Sequence, residues 1–140
     1  MTSTTAGFEI CPVTDLQPGQ RKIVDIDGLS IGVFNVNGRF HALLNRCPHM
    51  GGPLCAGLIR GLVVGPEPYK YELEREGEIL RCPWHGWEFD IKTGHSYMSP
   101  HSIRVRTYDV GVESPSDLAE NPSVETFSVT VEKDLVVLYI

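Results

Sequence analysis

Four side chains able to bind a soft metal sit in two short segments that resemble each other. One is Cys47-Pro48-His49-Met50-Gly51-Gly52-Pro53-Leu54; the other is Cys82-Pro83-Trp84-His85-Gly86-Trp87. Each supplies one thiolate and one imidazole. In each, Pro follows the Cys and Gly closely follows the His, so each reads as a stiff loop that turns two side chains toward one point. Structural zinc sites favour Cys-x2–4-Cys knuckles paired with Cys-x2-Cys or His-x3–5-His. Here each arm mixes one Cys with one His, and a single residue separates them in the first arm. That pattern fits zinc poorly. It fits a cluster in which two cysteines bind one iron and two histidines the other. Thiolates neutralise the charge of the iron kept ferric. Neutral imidazoles donate less charge and raise the potential of the iron that takes the electron.

Cys-x-His followed by Cys-x2-His resembles the Rieske iron–sulfur family. The flanks agree, through Met50-Gly51-Gly52-Pro53-Leu54 on one side and Trp87-Glu88-Phe89-Asp90 with Thr93-Gly94 on the other. The resemblance is close in the middle of the chain, and the outer strands match only in kind. It implies one 2Fe-2S cluster, with Cys47 and Cys82 on the inner iron and His49 and His85 on the outer iron, ring edges near solvent. It implies that Gly51, Gly52 and Gly86 bring backbone N–H groups close to the cluster sulfurs. It also implies a third, proline-containing loop over the cluster, a part that Ser99-Pro100 is placed to play.

Two departures from the family pattern stand out. The gap from Met50 to Arg81 is long, and the extra residues are 58–78, read as an apolar Gly/Pro stretch and then a hairpin over 69–79 that turns at Glu76-Gly77. The other departure separates subfamilies. Respiratory and photosynthetic Rieske proteins carry an extra Cys in each loop, joined as a disulfide; the corresponding positions here are Gly52 and Trp84. Those proteins also set Ser and Tyr hydroxyls against the sulfurs, where this chain has Trp87 and Phe89, which offer no O–H. Fewer hydrogen bonds leave more electron density on the cluster. The expected potential is therefore near the low end of the Rieske range, about −150 mV.

The elements that must position these loops read as strand after strand. Runs at 8–13, 21–26, 29–36 and 39–44 are β-prone, with Asp27-Gly28 and Asn37-Gly38 as two-residue hairpin signals. Residues 103–112 alternate hydrophobic and polar side chains. Residues 114–123 read as a loop, and 124–131 with 135–139 read as a closing hairpin around Lys133-Asp134. No sustained 3.6-residue apolar period occurs. The expected fold is all-β: a Rieske fold, with an antiparallel barrel or sandwich base. A single domain is expected over 1–140, its base at 1–44 and 101–140 and a loop-rich cluster-binding subdomain inserted at 45–100.

The 140 residues suffice for a core without disulfide staples, and 41% hydrophobic with 21% charged residues is an ordinary globular balance. A net charge of −6 argues against nucleic-acid partners and favours a basic patch on another protein. No stretch approaches the apolar length of a membrane span. Residues 1–7 lack the features of a secretory signal, so a cytoplasmic location is expected. There, four cysteines suggest metal chemistry before disulfides.

Outside the motif, Cys11 reads as a small core residue and Cys55 as a spare thiol near the first loop. Asp90, His95 and His101 form a weak match to a two-histidine, one-carboxylate oxygenase site. Trp84 and Trp87 read first as packing aromatics, with electron conduction or partner contact as the alternative. No nucleotide loop or activated nucleophile is visible.

By resemblance the chain is a Rieske-type ferredoxin and not itself an enzyme. It would pass single electrons from a reductase to a terminal, aromatic-ring hydroxylating oxygenase through transient contacts of less than roughly 1,200 Å². The alternatives are a small electron-transfer subunit of a larger oxidoreductase such as nitrite reductase, an oxygenase catalytic subunit, for which the chain is short, and a structural zinc module.

Overall fold

The computed structural model describes residues 7–67, 70–96, 103–114, 124–125 and 134–140, and for 62–67, 70–76 and 124–125 it describes the backbone alone. Among these residues there is no α-helix. The strands are β1 (Gly7–Pro12), β2 (Arg21–Ile26), β3 (Leu29–Val36), β4 (Arg39–Leu44), β5 (Leu58–Glu67), β6 (Lys70–Arg81), β7 (Glu88–Asp90), β8 (Thr107–Glu113), β9 (Val124–Glu125) and β10 (Leu135–Tyr139).

Strands β2, β3 and β4 form a meander because both connections are two-residue turns. Asp27-Gly28 and Asn37-Gly38 hold φ of 51°, 82°, 53° and 92°. Positive φ at both central positions gives a turn whose twist matches the strands it joins. A seven-stranded sheet runs in the order β2-β3-β4-β8-β10-β1-β9. Its bend lies in β8, where Thr107 and Tyr108 pair with β4 and the residues from Asp109 to Glu113 pair with β10. The two halves therefore face each other around Ile31, Val33 and Ala42 on one side and Cys11, Val136 and Leu138 on the other.

Strand β3 is buried along most of its length because its two faces serve two cores. Ile31 and Val33 point into the barrel. Phe34 and Val36 point outward, under a second core that includes Leu43, Leu54, Leu80, Phe89, Ile91 and Val105. Each such side chain, once out of water, contributes roughly 1.5–3 kcal/mol. The second core fastens a three-stranded sheet, order β5-β6-β7, to the barrel. The segment between that sheet and β8 is pinned by a bridge between His95 and Arg104 and by Val105 N–H donating to the Gly94 carbonyl at 2.9 Å.

Two expectations are corrected. Glu76-Gly77 does not reverse the chain. Strand β6 runs through it, paired with β5 on both sides, and the register slips from Arg60 opposite Ile79 to Leu62 opposite Glu74. Gly77 takes φ of 81°, so the turn-forming residue makes a bulge instead. The apolar Gly/Pro stretch forms β5. The closing hairpin does not form among the described residues either. Both edges of β10 are taken, by β8 and β1, and β9 pairs parallel to β1 through Gly7–Val124 and Phe8–Glu125. Positions 126–131 of the expected strand, and Ser99-Pro100 with His101, lie outside the described residues.

Candidate metal centre

The two loops are one backbone device used twice. Cys47 N–H donates to the Gly52 carbonyl at 2.9 Å, and Gly51 N–H donates back to the Cys47 carbonyl at 2.7 Å. In the second loop Cys82 N–H donates to the Trp87 carbonyl at 2.8 Å, and Gly86 N–H to the Cys82 carbonyl at 3.0 Å. In each loop the Cys amide thus reaches five residues on, and the glycine four residues on returns the bond. That glycine sits at positive φ, 81° for Gly51 and 75° for Gly86, a conformation open to Gly at no steric cost. Gly51 and Gly86 therefore close their own loops and do not aim their amides at sulfur. The amides that face the Cys47 sulfur belong to His49 and Met50.

Each loop has a firm mount. The first leaves β4, and Asn45 ties it back to β3 and forward to the turn at Leu54–Ala56: its amide donates to the Ser30 carbonyl at 2.8 Å and its Oδ1 accepts from Cys55 N–H at 2.8 Å. The second joins β6 to β7, in the small sheet. Arg21 on β2 donates to the carbonyls of Cys55 and Gly57. Gly57 is packed so closely that an added Cβ would lie 1.8 Å from the Arg81 carbonyl oxygen.

The donors meet as a sulfur pair and an imidazole pair. Cys47 and Cys82 are both 2% exposed, in the second core. Burial raises the Cys47 thiol pKa, the His49 and Met50 amides oppose it, and the neighbouring Cys82 thiol raises it further. The His49 and His85 rings stand edge to face with centroids 4.8 Å apart. His49 Nδ1 is buried without a hydrogen-bond partner, a state that costs free energy unless something else satisfies the nitrogen. His85 is exposed. Among the described residues no three of His, Cys, Asp or Glu converge on one point as a single metal ion requires. A buried thiol pair, an imidazole pair nearer water and an orphaned ring nitrogen between loops are the donor set that a mixed-ligand diiron cluster uses.

The sequence profile of the Rieske [2Fe-2S] domain matches residues 7–109. The chain belongs to the Rieske family. One 2Fe-2S cluster of Rieske type is the cofactor of this domain. Among curated relatives, apoptosis-inducing factor 3 of Homo sapiens is 34% identical over 105 residues, 74% of this chain. The match spans only 14% of that relative's length. The 3-phenylpropionate/cinnamic acid dioxygenase ferredoxin subunit of Escherichia coli (strain K12) is 27% identical over 115 residues, 82% of this chain and 93% of that one. The solved ferredoxin of carbazole 1,9a-dioxygenase from Nocardioides aromaticivorans IC177 shares the fold, with a TM-score of 0.59 at 24% identity over 96% of this chain and 97% of that one. The Rieske chain is thus the all-β fold that the loops implied.

Other residues of the Rieske chain fall into place around the loops. Trp87 packs against the second core and stacks on His49, with ring centroids 4.2 Å apart and planes at 12°. Trp84 does not pack inward; it is 58% exposed. Phe89 is fully buried. Cys11 is a barrel-core residue, and Cys55 is buried in the same core as Cys47 and Cys82, against Gly32. Asp90 Oδ1 accepts from Lys92 N–H at 2.8 Å, and exposed His95 lies past that turn, bridged to Arg104.

Arg46 and Arg81 were not singled out from the sequence. Each directly precedes a loop cysteine, and that repetition was the available signal. Arg46 lies against Gly51, 3.5 Å from the position of an added Cβ, and Arg81 against Gly86 at 3.0 Å.

Proposed function

We propose that this Rieske chain is a single-electron carrier, liganding its cluster through Cys47, Cys82, His49 and His85. When bound, the cluster supplies reversible one-electron exchange. Cys47 and Cys82 hold the inner side in the dry second core. His49 and His85 carry the outer side, and the exposed His85 edge is the port by which an electron arrives and leaves. The observation that carries this reading is the pairing of buried thiols with an edge-to-face histidine pair at the surface.

The partners we propose are a reductase as donor and a terminal, aromatic-ring hydroxylating oxygenase as acceptor. Support comes from the dioxygenase ferredoxin subunit, which the match spans almost from end to end. The carrier makes no bond to substrate and has no catalytic residue of its own. We place it in the cytoplasm; among the described residues no helix is long and apolar enough to cross a membrane. We also take 1–140 as one domain, with 45–100 as the cluster-binding subdomain on a base of 1–44 and 101–140.

The test is reduction followed by mixing with a dioxygenase ferredoxin-dependent oxygenase. The carrier should reoxidise in one phase and support turnover without being consumed. A loaded protein that transforms substrate unaided would refute the reading. A second reading, a module of a larger oxidoreductase, is favoured by the human relative, in which the like segment is a small part of a longer protein. Stable co-purification with a flavoprotein would select it.

A further inference from the structure

We propose that the surface around His49 and His85 docks a protein that presents an apolar patch rimmed by carboxylates, and that Arg46 and Arg81 are the cations that receive it. This rests on the reading that electrons cross at the histidine edge.

The chain carries a net charge of −6, so taken as a whole it repels acidic partners. The loops are the exception. Arg46 and Arg81 stand at the same place in the two copies of the loop device, one residue before each cysteine, and both are exposed. Among the described residues neither makes an ion pair or a side-chain hydrogen bond. Three other arginines have partners: Arg60 pairs with Glu88 at 3.3 Å, Arg21 bonds two carbonyls and Arg106 lies over the Tyr108 ring. Each loop guanidinium instead rests on its loop glycine, 3.5 Å and 3.0 Å from the added-Cβ positions. That contact leaves both forks of donors unused, Arg81 in the depression that His85 also lines and Arg46 on the loop that carries His49, and such a fork matches a carboxylate.

On and next to these loops three large apolar side chains are exposed. Met50 is 62% exposed, Leu58 62% and Trp84 58%. Leu58, Arg81, Trp84 and His85 line one open depression, floored by Gly57 and Gly86. Met50 follows His49 in the first loop. Most apolar side chains of this size that the structure describes are buried, so three exposed around the cluster loops mark a contact surface. An apolar centre with charges at its rim is the anatomy of a protein interface. The sign of the rim selects a partner that is acidic there, the reverse of what the net charge selects.

Small redox ions test the local charge without any partner. The loaded, reduced protein is mixed with ferricyanide, an anion, or hexaammineruthenium(III), a cation, from about 0.01 M to about 1 M salt, over which the screening length shrinks from about 30 Å to about 3 Å. With arginines at the port, salt should slow the ferricyanide reaction several-fold and speed the ruthenium reaction. In the R46E/R81E variant both trends should invert. K22E/R39E, which changes net charge equally at exposed sites on the β2-β3-β4 meander, should keep the wild-type trends. A loaded wild type whose ferricyanide rate rises with salt, or a K22E/R39E variant that shifts as far as R46E/R81E, would overturn the docking proposal alone. A chain that takes up no iron and sulfide would overturn the electron-carrier reading and the docking with it.

Discussion

Trp84 of the second loop lies directly on Gly52 of the first: a Cβ at position 52 would stand 2.7 Å from the indole Cδ2 and 2.8 Å from Cγ. In respiratory and photosynthetic Rieske proteins, from which this chain departs here, a disulfide joins the corresponding positions. Here the loops are held at the same point by a ring on a bare backbone. A van der Waals clamp of this kind needs a side chain-free partner, and it opens without the redox chemistry that a disulfide requires.

Gly52→Ala should therefore push Trp84 off its seat and loosen one loop from the other. Overpacking of this kind costs about 1–3 kcal/mol. The readout is the rate at which visible absorbance bleaches under an iron chelator, expected to rise several-fold. An unchanged rate would show that the clamp contributes nothing to cluster retention.

Gly57→Ala should be far more damaging. The added Cβ would meet backbone, the Arg81 carbonyl oxygen at 1.8 Å, which no rotamer change relieves. The substitution must part the start of β5 from the end of β6, next to Cys82. A loss of more than about 3 kcal/mol is expected, since strain on fixed backbone falls among the severe classes. Thermal unfolding followed by circular dichroism would measure it.

The cluster potential should lie near the low end of the Rieske range, about −150 mV. Trp87 and Phe89 occupy the positions where hydroxyl donors would stand, and Phe89 is fully buried with no O–H to give. Protein-film voltammetry should place the midpoint well below zero for wild type. Phe89→Tyr, which offers a hydroxyl from the same site, should raise it. A wild-type midpoint well above zero would contradict the argument.

Cys55 gives a signed pH dependence. Burial, partly offset by the Gly32 amide and by Arg21, pushes its thiol from 9.0 up to about 12. Above pH of about 9 the unfolded chain releases this proton while the folded chain keeps it, so stability falls as pH rises toward about 12. Denaturant titrations at about pH 8 and about pH 10.5 should show wild type losing more stability than Cys55→Ala across the same interval. Comparing the two chains cancels what the ligand thiols contribute to both.

The loops and the meander were legible in the sequence because their signals are local. Asp27-Gly28 and Asn37-Gly38 state their turn in two residues, and Cys-x-His with Cys-x2-His places a thiol and an imidazole on each loop within a few. What stayed hidden depends on distant partners. Gly77 announces a positive φ, but whether that φ makes a turn or a bulge is decided by β5, which pairs on both sides of it. The β9 strand pairs with β1 because β10 is already flanked, and nothing near Val124 encodes that. Trp84 and Trp87 are alike in sequence, yet one stacks on His49 while the other covers Gly52 and stays largely exposed. The difference lies in which side of the loop each leaves, and the tertiary fold sets that.

Electron paramagnetic resonance of the reduced protein with nitrogen double resonance, alongside iron and sulfide analysis, reads out the proposed ligand set itself. Two irons and two sulfides per chain and two inequivalent nitrogen couplings are expected, with cluster absorption lost in His49→Ala and in His85→Ala. A bound zinc ion, or an iron–sulfur signal without nitrogen coupling, would contradict that ligand set.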